Sequence, residues 1–485
     1  PVWAEDDGED DSGDTCGNDD DDDDEDDCDE DDDDDEDDDG DEDCDDVCCE
    51  DEPDHECCDD DDEDEDEPEC DEEDGGGNRF RAYSGNVRRT INDLALANGV
   101  GTRKLAFKRT TTSRWIGGIP TPMGSGGNWR HSYYWHITEQ LDTNGLPVYK
   151  NGGPVLVVNS PNGVQKQFDL DNTNSLYFTA RAKTKERILR SSADTNQYYL
   201  MRLDGTRHAF YRGTNGVYVM QGFYDRRENF YAFEHDGQAR LTRVLDPLTN
   251  HWLAVEYATP TNFIQTGSYV FAWSAPGAAS VSVAGSFNGW STAANPLAQG
   301  PDGVWTGSVA LASGTHEYKF VIDGGTWQAD TNNPYFNTFN NGNSVLYVGW
   351  EQLTRAYASD GREVFYRYGQ MAVDGIAHAC LEHVDYGDGT SAHYTYDPPA
   401  TGKYWRPMLA SADDPMKSGV GARIAYSYQR QTDTNAGPVG VSGMIFEERN
   451  LETSNLIARL VFDPLDPGVR IIENGDGTSK YLYYP

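Results

Sequence analysis

Tryptophans between residues 266 and 349 are the side chains whose chemistry most needs interpretation. An indole ring can pack in a protein core, or it can lie bare and stack on the C–H-rich face of a sugar ring. Trp273 and Trp305 lie in strand-like surroundings, so we expect them to be core residues. Trp290 follows Asn288-Gly289, a turn signal that favours a partly exposed ring. By residue type alone, a tryptophan in a β-sandwich more often belongs to the core.

No residue pattern indicates catalysis. The sequence contains no G-x-S-x-G elbow, no H-E-x-x-H and no P-loop. A glycosidase needs two facing carboxylates in a cleft, and the histidines lack metal-ligand spacing. Several carboxylates of the body each precede a glycine, which is typical of turn residues: Asp236, Asp360, Asp388 and Asp476. We therefore expect a protein that is not an enzyme and has no cofactor. The alternative is an accessory piece whose catalytic domain lies beyond Pro485.

The elements that must position these side chains are β-strands. From residue 78 onward, short runs rich in Tyr, Trp, Phe, Thr and Val are separated by Asp-Gly, Asn-Gly and Asp-Pro, at spacings of about ten residues. Tyr199–Leu203 and Thr206–Tyr211, joined by Asp204-Gly205, are one predicted hairpin. Helical periodicity is nearly absent, and Arg88–Leu96 is the only doubtful stretch. The predicted fold class is mainly β and antiparallel.

The strand runs also resemble one another. Phe233–Gly237, Leu381–Val384 and Arg470–Ile472 belong to related phrases that end near Asp-Gly and Tyr-x-Tyr patterns. Internal repetition of this kind marks a stacked β-array whose units bury their faces against neighbours. The head segment Val87–Trp115, with its Asp93-Leu94 phrase, resembles the entry segment of the Rhs/YD-repeat family.

This resemblance covers roughly residues 86–260 and 351–485. It implies a spiralling antiparallel sheet that closes as a shell, which in that family often surrounds cargo. The chain has neither a toxin domain nor the family's self-cleaving Asp-Pro core motif. There are therefore two alternatives. The repeats are part of a shell that continues past residue 485, or they form an array that does not enclose cargo.

Between residues 266 and 349 the repeat texture stops, and short strands with regular turn signals predict a small Ig-like (E-set) sandwich. The phrases Gly285–Trp290 and His316–Gly324, followed by Trp327 and Asp330, occur there. In order and spacing they resemble the glycogen-binding domain of the β subunit of AMP-activated protein kinase. The resemblance implies a carbohydrate-binding module inserted into the array.

The same resemblance implies sugar-binding roles. It makes Trp290 and Trp327 two aromatic platforms, Lys319 a polar contact and Asn343 a sugar-binding amide. Phe339 or Phe336 would replace the family's apolar loop residue. Two angled platforms fit a curved α-1,4-glucan better than flat cellulose, and each sugar–aromatic contact should contribute about 0.5–1.5 kcal/mol. We expect α-glucan as the partner, with Kd of roughly tens of micromolar to millimolar. The alternative is a sandwich that acts as a packing spacer in a structural shell or extracellular fibre.

Residues 5–77 form a polyanionic arm that ends in a glycine linker. Residues 1–74 hold 51 of the 87 acidic residues and no Lys or Arg, which leaves 36 acidic residues against 37 Lys and Arg on the body. Repulsion between carboxylates and the scarcity of apolar side chains predict disorder. The arm repels phosphate and the body has no basic excess, so nucleic acid is not expected as a partner. A solubilising tail and a weak, diffuse calcium site remain alternatives, the latter with ligands such as Asp19, Asp35, Asp37 and Asp39.

Cysteine usage indicates the compartment. Eight of the nine cysteines lie in the arm, an even number that suits disulfides in an oxidising environment, whereas Cys380 is expected to be a buried small hydrophobe. Residues 1–4, with Val2-x-Ala4, are interpreted as the remnant of a secretory signal. No stretch approaches the roughly 18 apolar residues that span a bilayer. We therefore expect an extracellular or cell-surface protein, with self-association or further repeats as additional expectations.

These observations divide the chain into segments. We assign residues 1–4 to the signal remnant, 5–77 to the acidic arm, 78–265 to the Rhs-type head and first repeats, 266–349 to the inserted sandwich, and 350–485 to the remaining repeats.

Overall fold

The computed structural model describes residues 80–81, 86–96, 104–113, 121–126, 129–142, 145–182, 184–213, 216–337, 342–397, 407–414, 423–428, 445–462 and 469–483. All of them belong to one compact unit, Asp71–Pro485. The acidic arm lies outside the described residues, together with eight of the cysteines and the calcium candidates Asp19, Asp35, Asp37 and Asp39.

The predicted fold class is confirmed, because the described regular elements are β-strands apart from one 3-10 turn, Ser286–Asn288. The doubtful stretch Arg88–Leu96 lies mostly in a strand. In chain order, the strands before the inserted segment are β1 (Phe80–Arg81), β2 (Asn86–Ala95), β3 (Ala106–Thr112), β4 (Arg130–His131), β5 (His136–Glu139), β6 (Tyr149–Lys150), β7 (Gly153–Pro154), β8 (Leu156–Asn159), β9 (Gln165–Leu170), β10 (Tyr177–Ala180), β11 (Arg187–Arg190), β12 (Gln197–Met201), β13 (Arg207–Arg212), β14 (Tyr218–Tyr224), β15 (Phe230–His235), β16 (Leu241–Leu245) and β17 (Trp252–Ala258).

The inserted segment and the repeats that follow it supply the remaining strands. They are β18 (Gly267–Ser274), β19 (Val281–Gly285), β20 (Ala298–Gln299), β21 (Val304–Leu311), β22 (Gly314–Ile322), β23 (Thr326–Gln328), β24 (Phe336–Asn337), β25 (Asn343–Val348), β26 (Gln352–Ala358), β27 (Glu363–Val373), β28 (Ile376–Tyr386), β29 (Ser391–Asp397), β30 (Met408–Asp413), β31 (Arg423–Tyr428), β32 (Ile445–Asn450), β33 (Leu456–Phe462), β34 (Val469–Asn474) and β35 (Ser479–Tyr483).

The repeats form one large antiparallel sheet that closes on itself as a shell. Strands β5 and β8 to β14 pair in succession, and Tyr218 of β14 pairs with Ile137 of β5 to close the ring. The other end of β14 pairs with β15, so the sheet continues past the closure through β17 and β26 to β35. The expected spiralling array is therefore confirmed as a fold. Its hairpins follow the Asp-Gly signals, as where β12 pairs with β13.

Buried side chains of the shell and of the N-terminal sheet form one hydrophobic cluster among the described residues. Ring residues such as Phe168, Phe178 and Phe210 are buried in one cluster with Ile91 and Phe107 of a four-stranded N-terminal sheet, β1 to β4. Cys380 is buried in the same cluster, as expected, and its burial raises the pKa of its thiol to about 12.

A buried polar network joins the N-terminal sheet to the shell. Arg109 of β3 donates from Nε to Asp93 of β2 at 2.9 Å, and both side chains are inaccessible to solvent. Its terminal nitrogens donate to the hydroxyls of Tyr394 and Tyr386 at 2.7 and 2.8 Å. Tyr366 donates to Asp93 at 2.7 Å. Because buried charges are costly unless fully paired, this arrangement fixes the sheet to three successive shell strands, β27 to β29.

The inserted segment replaces the turn of a shell hairpin. Strands β17 and β26 pair directly, from Leu253 opposite Ala358 to Ala258 opposite Gln352. The chain leaves and re-enters the shell side by side, because Gly349 N donates to Ile264 O at 2.8 Å. The insertion therefore leaves the pairing of the shell continuous.

Candidate functional site

The inserted segment is a two-sheet sandwich. Strands β18, β21 and β20 form one sheet, and β19, β22, β25 and β24 form the other, with β23 added at the edge of β22. The core between them includes Phe271, Tyr318 and Phe320. Trp305, 7% exposed, lies in this core, and Trp273 stacks on Phe320 with ring centroids 4.8 Å apart. Both tryptophans are therefore packing residues, as expected.

The loop after β19 owes its shape to one asparagine. Asn288 accepts a hydrogen bond from Gly285 N at 2.9 Å through Oδ1. Its amide nitrogen donates to Val283 O at 3.0 Å and to Asn295 Oδ1 at 2.7 Å. At Gly285 an added Cβ would lie 2.4 Å from the carbonyl oxygen of Glu317, so only glycine fits this close approach. Gly285 and Asn288 thus fold the loop that presents Trp290.

Trp290 itself has a left-handed backbone, with φ of 61°, directly after Gly289 at 64°. A bulky residue rarely adopts this conformation, which costs roughly 1–2 kcal/mol. Its N–H donates to Gly285 O at 2.9 Å and so closes the turn. Strain of this kind persists where the surrounding structure imposes it, often at functional sites.

The indole of Trp290 lies beside that of Trp327. The two ring centroids are 6.2 Å apart and the ring planes are inclined by 49°. Trp327 is 43% exposed and Trp290 is half-buried. The structure therefore brings the two predicted platforms together at an angle, outside the sandwich core.

Register places Lys319 on the same side of the sheet as Trp327. Trp327 pairs with Val321 of β22, and directly paired residues share a face. Residues two apart on a strand also share a face, so Val321, Lys319 and Glu317 point the same way. The core residues Tyr318 and Phe320 point to the opposite side. We call this side, with Trp327, Lys319 and Glu317, the outer face of the sheet.

Asn343 also lies on the outer face, because Val345 pairs with Glu317 and Asn343 is two residues before Val345. Asn343 is only 6% exposed, and its amide nitrogen donates to Glu317 Oε2 at 2.7 Å. The amide nitrogen of Asn337 donates to the other oxygen, Oε1, also at 2.7 Å. The predicted sugar-binding amide is thus already held by a carboxylate that connects two asparagines.

Asp330 has a structural role in the segment after Trp327. Its carboxylate accepts from the Tyr318 hydroxyl at 2.7 Å, and its N–H donates to Ser344 Oγ at 2.7 Å. Burial and the nearby carboxylate raise the pKa of Tyr318, so its hydroxyl remains a donor. These bonds anchor the chain between the two indoles and the asparagine pair.

The end of the sandwich near β24 contacts the shell. Tyr335 donates to Gln370 at 2.9 Å, and Phe336 N donates to Gly375 O at 2.8 Å. The ring of Tyr347 stacks on Trp350 with centroids 5.3 Å apart. Phe336, one candidate for the apolar loop residue, is therefore partly exposed at this junction. The other candidate, Phe339, lies outside the described residues.

The carboxylates predicted to be turn residues do occupy turns. Asp388 Oδ1 accepts from the N–H and hydroxyl of Thr390 at 2.8 and 2.6 Å, which lowers the pKa of the carboxyl group. Asp236 and Asp476 each accept from a backbone N–H two residues later in the same way. Across the part of the chain that the structure describes, no group of three or more His, Cys, Asp or Glu side chains is arranged to hold a metal ion.

The arrangement supplies groups that suit the binding of a sugar. Two inclined indoles supply apolar surface for sugar C–H bonds, and lysine and asparagine supply hydrogen-bonding groups for hydroxyls. Sequence analysis missed Glu317 and Asn337. The available signal for Glu317 was its spacing of two residues from Lys319, which places both side chains on one face of a strand.

Comparison with known proteins identifies a family to which the sandwich is similar. Residues 268–353 match the family model described as the glycogen recognition site of AMP-activated protein kinase. The resemblance predicted for residues 266–349 is thereby confirmed. The match covers the sandwich. A separate comparison of the whole chain with curated proteins found no match.

Among solved structures, the chain is similar to the crystal structures of TcdB2-TccC3-Cdc42 and TcdB2-TccC3-TEV. The first gives a TM-score of 0.32 at 11% identity, covering 83% of this chain and 21% of that one. The second gives a TM-score of 0.30 at 11% identity, covering 82% and 21%. This chain thus spans about a fifth of the length of those chains, and similarity at this level supports no conclusion about function.

Within the described ranges, the structure contains no helix of the length and apolar character that a bilayer crossing requires.

Proposed function

We propose that this protein binds α-glucan, of the glycogen or starch type, through the inserted sandwich and without catalysis. The match of residues 268–353 to a glycogen-recognition model supports the class of ligand. The shell would then carry the binding domain and present its outer face.

The observation on which the proposal rests is the pair of inclined indoles. Trp290 and Trp327 lie 6.2 Å apart at 49°, outside the core, on a face that also bears Lys319. A flat β-glucan presents its rings in one plane, whereas successive rings of an α-1,4-glucan turn relative to each other. Inclined platforms suit the second geometry.

Binding should be weak for a single site. Each ring contributes about 0.5–1.5 kcal/mol by analogy with aromatic pairs, and lysine and amide contacts add about 1 kcal/mol each. Two rings, one lysine and one amide together supply about 3–5 kcal/mol, so the proposal predicts a Kd from roughly 0.2 mM to several millimolar for a short oligosaccharide. Branched glycogen offers many chain ends, so several molecules could bind one particle.

Affinity gel electrophoresis of the whole chain in glycogen-containing gels tests the proposal. Migration of the wild type should be retarded by glycogen, and Trp327→Ala should restore most of its mobility. Tyr211→Ala is the matched control, because Tyr211 is a shell aromatic that is 42% exposed, against 43% for Trp327. Wild-type migration that ignores glycogen would contradict the proposal.

A structural role is the second candidate, and the junction with the shell favours it. Tyr335 and Phe336 hydrogen-bond to shell residues, so the sandwich is attached at that end. In this case the domain would be a spacer in a shell or fibre, and loss of the indoles would change neither migration nor affinity.

The location is proposed to be extracellular or at the cell surface. The eight cysteines in the N-terminal arm support an oxidising compartment. Thiol titration of protein purified under non-reducing conditions tests this. Eight reactive thiols in the unfolded chain, in addition to Cys380, would contradict it.

A further inference from the structure

We propose that Glu317 is a positioning residue that orients Asn343 and Asn337 as a polar subsite of the glucan-binding face. The inference rests on the proposed α-glucan function and extends it from the two indoles to a second group of residues. These residues lie on the outer face with Trp327 and Lys319, on strands β22, β25 and β24.

The carboxylate of Glu317 divides its two oxygens between two amides. Oε2 accepts from Asn343 and Oε1 from Asn337, each at 2.7 Å. An ionised carboxylate has no hydrogen to donate, so each asparagine must turn its nitrogen toward it. The short distances are typical of charge-assisted bonds. The carboxylate of Glu317 therefore orients the nitrogen of each amide toward itself.

This orientation has a chemical consequence for Asn343. Once its nitrogen is committed to Glu317, the side of the amide turned away from the carboxylate is the carbonyl oxygen. A carbonyl oxygen accepts hydrogen bonds, and a sugar hydroxyl can donate one. We expect Asn343 to present an acceptor to the ligand through the small part of its surface that remains exposed.

The position of Glu317 is itself fixed by the loop that carries Trp290. Glu317 N donates to Ser286 Oγ at 3.1 Å, and Gly285 lies against the Glu317 carbonyl oxygen. The strand that holds the carboxylate is thus bonded to the loop that presents the first indole. Subsite and platform belong to one rigid unit.

The spacing implies a ligand of more than one sugar unit. Trp327 pairs with Val321 of β22, and the pairing of Tyr318 with Ser344 places Asn343 opposite Lys319, two residues from Val321. At about 3.3 Å per residue, this separates Trp327 from Asn343 by roughly 7 Å along the strand. Asn337 pairs with Asn343 from the next strand of the sheet. A ligand that contacts the indoles and both asparagines therefore needs at least two linked sugar units.

The test is calorimetry of the full chain with maltoheptaose, comparing the wild type with Glu317→Gln. Glutamine has nearly the same shape, but it has one acceptor oxygen for two amide nitrogens, so one asparagine must turn over or lose its bond. We expect affinity to fall about fivefold to tenfold.

A second variant separates positioning from mere stability. When Glu317→Gln is combined with Asn343→Asp, the glutamine nitrogen can donate to the new carboxylate at position 343, while the glutamine oxygen still accepts from Asn337. The side chain at position 343 again presents an oxygen to the ligand. Affinity for maltoheptaose should recover to within about threefold of the wild type. A thermal unfolding curve of each variant is the control for folding, and each variant should show a cooperative transition.

The outcomes distinguish this inference from the proposed function. In one outcome, the wild type and Tyr211→Ala bind maltoheptaose and Trp327→Ala binds it weakly, as the proposed function requires. If Glu317→Gln then binds maltoheptaose like the wild type, the role of Glu317 is overturned while the function stands. Failure of the double variant to recover also overturns it. If the wild type binds neither maltoheptaose nor glycogen, both fall.

Discussion

Trp290 allows binding and folding to be separated, because its ring and its backbone have opposite effects on stability. The substitution Trp290→Gly removes the indole and also removes a left-handed non-glycine residue, φ 61°. Relief of that conformation regains about 1–2 kcal/mol. The loss of a half-buried ring and the greater freedom of glycine in the unfolded chain act against it. We expect the free energy of unfolding to stay within about 1 kcal/mol of the wild type.

Binding should respond quite differently. One ring contributes about 0.5–1.5 kcal/mol, which corresponds to a Kd that rises roughly 2-fold to 13-fold. Because Trp290 also contacts Trp327, with centroids 6.2 Å apart, removal of one ring leaves the other less well held. We therefore expect a loss of about tenfold, measured by calorimetry with maltoheptaose beside a thermal unfolding curve.

The neighbouring glycine provides the reverse control. Gly289 has φ of 64° and open space where a Cβ would lie. Gly289→Ala therefore adds backbone strain of about 1–2 kcal/mol without removing a ring, and it should lower the unfolding temperature while affinity stays within about twofold. The reasoning would be refuted if Trp290→Gly bound like the wild type, or if Gly289→Ala lost as much affinity as Trp290→Gly.

Three further predictions concern the frame around the site. Because the chain leaves and re-enters the shell side by side, residues 266–349 can be replaced by a short Gly-Ser turn. The product should keep the circular dichroism spectrum of a folded β-protein, and glycogen should no longer retard its migration. An unfolded product would contradict the insertion topology. Asp93→Asn should lower the free energy of unfolding, measured in denaturant, by about 3–5 kcal/mol, because it leaves Arg109 buried beside a neutral partner. A change below about 1 kcal/mol would show that the buried network does not stabilise the shell. Burial lowers the pKa of His131 and of His136 from 6.5 to about 3. Between these pH values the unfolded chain binds protons that the folded chain excludes, so the free energy of unfolding should fall as the pH drops from 6.5 toward 3. His131→Leu should flatten that pH dependence, and an unchanged slope would contradict the assignment.

Much of the fold could be predicted because its signals are local. Asp-Gly pairs such as Asp388-Gly389 specify turns through the aspartate oxygen and the positive φ of glycine. The strand period then determines which residues face the core. The platform roles of Trp290 and Trp327 were predicted from the resemblance of their motifs, and the local signal beside them was the Asn288-Gly289 turn before Trp290.

Other features depend on contacts distant in sequence. Asp93 and Arg109 meet tyrosines nearly three hundred residues later, as in the bond from Tyr366 to Asp93, with a separation of 273 residues. No periodicity in the sequence indicates such a pairing. The engagement of Asn343 by Glu317 likewise depends on the register of β22 against β25. A one-residue shift would place Glu317 on the core side.

The most direct test of the central claim compares curved and flat sugars on the intact chain. Calorimetry with maltoheptaose and with cellohexaose, at equal concentrations, measures whether the inclined pair of Trp290 and Trp327 selects an α-linked chain. We predict binding of maltoheptaose with a Kd from roughly 0.2 mM to several millimolar and no measurable heat with cellohexaose. Equal affinity for the two sugars, or no heat with maltoheptaose, would contradict the account.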